Sequence, residues 1–110
     1  MLKSSLTALA REQLAVAKSA SSGRGALTVF GGHENVSRQT MIALAAGEKL
    51  NKHENPGEAT VHVPQGRVRL QFVSESGEGS PGDLLVVPND RHELEALEDA
   101  VVLLTVAKLP

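Results

Sequence analysis

The sequence predicts an all-β domain, its short strands closing into a sandwich or barrel, with one α-helix in front. Three observations carry this. From Ala26 onward the apolar runs are only a few residues long and are separated by Gly, Pro and Asn turn signals. Arg67 to Val73 alternates cleanly, with Val68, Leu70 and Phe72 on one side and Arg67, Arg69 and Gln71 on the other. Before Ala26 the pattern is different, and apolar residues recur at helical spacing. At 110 residues the chain is one folding unit, read as a helix and linker over residues 1–25 and a β-domain over residues 26–110.

Residues 2–18 form the helix: Leu2, Leu6, Leu9, Ala10, Leu14, Val16 and Ala17 fall in one sector. Ser19 to Gly25 ends it, and the helix is expected to pack on its own domain, with coverage of a neighbouring subunit as the alternative. Strands are predicted at 27–30, 38–45, 59–63, 67–73, 84–87, 93–97 and 101–107. Ser74 to Asp83 reads as a polar turn, with Pro81-Gly82 suited to the centre of a type II turn. The unbroken apolar runs Leu84 to Val87 and Val101 to Leu104 call for strands covered on both faces. One cover is the barrel interior. The other is the helix or a second copy of the chain, which is the reason to expect a homodimer.

Composition excludes several function classes. A net charge of −2 and only two aromatic residues, Phe30 and Phe72, argue against a nucleic-acid surface and against base stacking. With no cysteine there is neither a disulfide framework nor a thiolate metal site or nucleophile. No apolar run reaches membrane-spanning length, so no membrane partner is expected and a cytoplasmic location is. Gly31-Gly32 lacks the companion residues of a phosphate loop, and no serine carries a nucleophile-elbow signature.

Two blocks hold the chemistry. In the first, Gly47 is followed after five residues by His53, and the block closes at Gly66. In the second, Gly82 is followed after five residues by Pro88 and then by His92. These blocks resemble the paired motifs of the cupin superfamily, specifically its small single-domain members, over about residues 38–107. The resemblance implies a double-stranded β-helix, or jelly-roll barrel, that brings the two motifs to one interior. It also implies a metal site of three histidines and one glutamate. Here the second histidine of the first motif is Asn55, and the glutamate position falls on Ala59, with Glu58 beside it. By strict carry-over only His53 and His92 remain.

The candidate ligand-binding residues are therefore His53, Asn55, His92 and Arg38, an arginine at a barrel mouth being suited to clamp a carboxylate. The candidate metal set is His53, His92 and Glu58, for a divalent Fe, Mn, Ni or Zn ion held weakly, because the glutamate that would offset its charge is missing. If Val61 and Val63 face inward, Thr60 and His62 face outward and His62 is no ligand. His33 and Glu34 read as a solvated loop, and Glu93 and Glu95 as outer-face residues. No catalytic residue is assigned. The leading expectation is a module that binds a small polar molecule in its barrel. The alternatives are a metal-dependent enzyme of dioxygenase or isomerase type, and a structural dimer with a vestigial pocket.

Overall fold

The computed structural model describes residues 1–53, 57–88 and 91–108. One helix, α1 (Leu6–Ser19), precedes nine strands: β1 (Arg24–Phe30), β2 (Ser37–Leu44), β3 (Lys49–His53), β4 (Gly57–Gln65), β5 (Val68–Phe72), β6 (Ser76–Gly79), β7 (Leu84–Val87), β8 (His92–Ala96) and β9 (Ala100–Lys108). They form two antiparallel sheets, ordered β1-β2-β9-β4-β7 and β3-β8-β5-β6. Among the described residues no helix is long and apolar enough to cross a membrane.

The helix starts at Leu6, not at residue 2, because Ser5 caps it: the Ser5 hydroxyl accepts the Ala8 N–H at 3.2 Å. Met1 and Leu2 lie outside the helix, fully exposed. Its inner side packs on the outer face of the larger sheet. Ala10 and Ala17 meet Met41, Ala43 and Val101 there, with Leu9, Leu14, Val29 and Leu103 around them. The helix thus packs on its own domain.

The strands explain the double coverage. β2 and β9 pair without a break from Ser37↔Ala107 to Leu44↔Ala100. Along that ladder Ile42, Leu44, Ala100 and Val102 turn into the space between the sheets, while Met41, Ala43 and Val101 turn to the helix. The inter-sheet core adds Ala59, Val61, Val63, Val68, Leu70, Val87, Leu94 and Ala96. β7 is different. Its alternate residues Leu84 and Val86 are 60% and 72% exposed, so within this chain only one of its faces is covered.

Two strands, β3 and β6, were not apparent from the sequence. Both are edge strands of the smaller sheet, paired on one side only, and need no apolar alternation to hold their place. Ser76–Gly79 therefore turns part of the expected polar turn into a strand. The outer face of this sheet is a charged ladder. Glu78 pairs with Arg67 and Arg69, Arg69 reaches Glu95 at 3.7 Å, and Lys49 reaches Glu93 at 3.6 Å. The Glu78 carboxyl is held below its usual range by hydrogen bonds from Arg67 and then from Arg69.

The links fall at two ends. Those from Phe30 to Ser37, His53 to Gly57, Phe72 to Ser76 and Val87 to His92 share one end, as the pairings Arg38↔Val106, Gly57↔Lys108 and Phe72↔His92 require. The opposite end is tightly closed. There Gly66, at φ +79°, makes the turn between β4 and β5, and a Cβ on it would sit 2.6 Å from the Ala100 Cα. Only glycine fits.

Candidate functional site

The first four-link end opens on a cavity between the sheets. Among the described residues its walls are Ile42, Leu50, Val61, Leu70, Val87, Leu94, Val102 and Leu104, with His92 as the single polar side chain. The enclosed space is about 50 Å³ and opens to solvent at the mouth. The strand pattern places these residues. In β8, Leu94 turns inward and buries to 5%, while Glu93 and Glu95 turn to the charged outer ladder.

His92 opens β8 at the mouth and is half-buried. Its ring lies 6.5 Å from that of Phe72, its pairing partner on β5, at an interplanar angle of 60°. On the other side its register partner is His53 of β3. The fold therefore brings the two histidines, 39 positions apart in sequence, to adjacent positions on neighbouring strands.

Arg38 reaches the same end from the other sheet. β2 holds its register along β9, so Arg38 shares the inward parity of Thr40 and Ile42 and pairs with Val106, a residue packed on the inter-sheet core. It is exposed at the rim, and among the described residues its side chain makes no ion pair or hydrogen bond.

The other candidates go elsewhere. Glu58 is exposed and pairs with Ala107, on the outward parity of Thr60, away from the cavity walls. Its neighbour Ala59 is the inward residue, 6% exposed in the core. His62 lies on the outer face under the start of the helix, beside Leu6, Thr7, Ala10, Met41 and Leu103. His33 and Glu34 are exposed in the link after β1. Asn55 lies outside the described residues.

Comparison with known proteins is informative at the level of structure only. No family model matches the chain, and no curated protein does. Among solved structures, a conserved protein of unknown function from Streptococcus pyogenes superposes with a TM-score of 0.73 at 24% identity, covering 83% of this chain and 79% of that one. A cupin superfamily protein from Desulfitobacterium hafniense gives 0.68 at 19% identity, covering 76% and 78%. An RmlC-like cupin from Desulfovibrio desulfuricans gives 0.65 at 25% identity, covering 76% and 81%.

The chain has the cupin fold. The cupin motif glycines fall where that fold needs them: Gly66 at the closed end, and Gly82 at φ +95° in the turn entering β7. The metal the fold implies can be tested against the donors. The cupin glutamate position is the buried methyl of Ala59, Glu58 points away, and the cavity wall offers one imidazole among aliphatic side chains. Among the described residues no three His, Asp or Glu side chains converge on one point. The described side chains alone therefore do not make up a donor set for a divalent ion, which needs several converging donors and charge to offset its own, and the side chain of His53 lies outside them.

The residues that sequence reasoning missed are the aliphatic walls. Leu50 was hidden because β3 carries no strand pattern. Leu94 could have been found, since its flanking glutamates fix its parity.

Proposed function

We propose that this chain is a binding module, a small cupin that admits a small molecule through the end carrying His53, Arg38 and His92. One observation carries the reading: an apolar cavity between the sheets, open at one end, with a half-buried histidine at its mouth. Concave, largely apolar space with a few placed polar groups is the usual form of such a site. We place the module in the cytoplasm, consistent with a chain without cysteine.

The test is a metabolite screen by thermal shift on the wild type and on His92→Ala. The variant is expected to melt close to the wild type, since His92 is only half-buried, and to lose the stabilisation that a binding compound gives. If no compound raises the wild-type melting temperature, the proposal fails. Metal analysis after incubation with Fe, Mn, Ni or Zn is expected to find far less than one ion per chain.

We further propose a homodimer. The smaller sheet presents a ladder of ion pairs to solvent, whereas β7, at the edge of the larger sheet, presents Leu84 and Val86. An apolar edge beside an unpaired strand suits pairing with a second copy. Light scattering at micromolar concentration is expected to give twice the 11.6 kDa chain mass, and a monomer mass would refute it.

A further inference from the structure

The sequence pointed to a polar ligand, but the walls and the rim of the cavity point to one of mixed character. Among the described residues, eight of the nine lining side chains are aliphatic. A polyhydroxylated molecule placed among them would leave its hydroxyls without partners, at roughly 1–3 kcal/mol for each one buried unpaired. An apolar body instead gains from every methyl it buries. Among the described residues the polar groups stand at the mouth, with His92 on one sheet and Arg38 on the facing sheet, both at the end where the four links meet. Arg38 is the informative residue. Its backbone register gives it the inward parity, its side chain is exposed at the rim, and among the described residues no carboxylate neutralises it. Glu58, an acidic residue of the same end, is turned to the outer face. Lys108, a cation of that end, donates instead to the carbonyls of Gly32 and His33.

We propose that the cavity takes a small aliphatic monocarboxylate, its hydrocarbon body among Ile42, Leu50, Val61, Leu70 and Val102 and its carboxylate at the mouth against Arg38. A guanidinium offers paired N–H donors that match the two carboxylate oxygens, and His92 supplies a second polar contact. This rests on the binding-module reading and narrows it to a chemical class.

The experiment follows methyl resonances of the lining Ile, Leu and Val residues by NMR while isovalerate, isoamyl alcohol or gluconate is titrated into the full chain. Isovalerate is expected to move the methyls of Leu50, Leu70, Leu94 and Val61 saturably, with millimolar affinity in keeping with its few heavy atoms. Isoamyl alcohol keeps the body and lacks the charge, so its binding is expected to be about 10-fold weaker. Gluconate keeps the charge and lacks the apolar body, and is expected to leave these methyls unmoved. Arg38→Gln, a change at an exposed position, is expected to bring isovalerate down to the affinity of the alcohol and to leave the alcohol unaffected. Gluconate moving the methyls in preference to isovalerate would overturn the inference while sparing the binding module. An Arg38→Gln chain that binds isovalerate undiminished would overturn the assignment of the carboxylate. If none of the three probes moves any lining methyl, the inference falls, and the metabolite screen then decides the broader reading separately.

Discussion

Replacing valine by isoleucine at two neighbouring inward positions of β4 should have opposite effects. Val61 and Val63 are 3% and 0% exposed and share one parity. Val61 borders the cavity, whereas Val63 lies at the closed end, where a Cβ added to Gly79 would already be 3.0 Å from its Cγ2. In Val61→Ile the added methylene enters empty space and buries without displacing a neighbour, for a gain of about 0.8 kcal/mol. In Val63→Ile the same group meets packed atoms and costs about 1–3 kcal/mol. Unfolding entropy of roughly 2.1 cal/mol/K per residue over 110 residues converts these values into melting temperatures. Val61→Ile is expected to melt about 3 °C higher and Val63→Ile about 4–13 °C lower, read by calorimetry on the ligand-free protein. Two variants falling by the same amount would mean that the space beside Val61 is filled, and the cavity argument would be refuted. The stabilised variant should also bind a cavity ligand more weakly, since its new methyl takes part of the volume.

Gly66→Ala should destabilise the fold by about 2 kcal/mol or more, because it forces a side chain into a left-handed backbone against Ala100; a melting temperature within a degree of wild type would contradict this. Glu78 gives a pH dependence. Hydrogen bonds from Arg67 and Arg69 hold its folded-state pKa below the ordinary carboxylate value, so its stabilising effect is complete above that ordinary value and is lost as pH falls through the lower folded one. Glu78→Gln should accordingly melt slightly below wild type at neutral pH, and the gap should close once the pH has fallen below the lowered folded-state value. A gap that persists or widens in acid would show that the ion pairs with Arg67 and Arg69 do not form in solution.

How far the sequence foretold this depends on whether a residue's neighbours constrain it locally. The inward parity of Val61 and Val63, and hence the outward position of His62, follow from strand alternation alone and agree with the structure. The double coverage of Val101 to Leu104 was legible because four apolar residues in succession leave no polar face, and the helix supplies the second cover. On β7 the same argument finds no second cover among the described residues. The first turn of the helix was overestimated because Leu2 fits the apolar sector, while the cap at Ser5 decides where the backbone turns helical. β3 and β6 were illegible because an edge strand is held by the backbone of its neighbour, and the sequence LNKH has no pattern of its own. The apolar character of the cavity was hidden for a related reason. The motif residues draw attention to polar side chains, but the walls come from seven strands that only the sheet register brings together.

The gathering of four connectors at one end separates two kinds of evolutionary freedom. Substitutions in those connectors can change what the domain admits, and how it is held, without touching the interlocked aliphatic ladder or the tight turns at the far end. A new ligand preference is therefore reachable in small steps from this scaffold, each step taken at the open end and away from the tight turns of the far one.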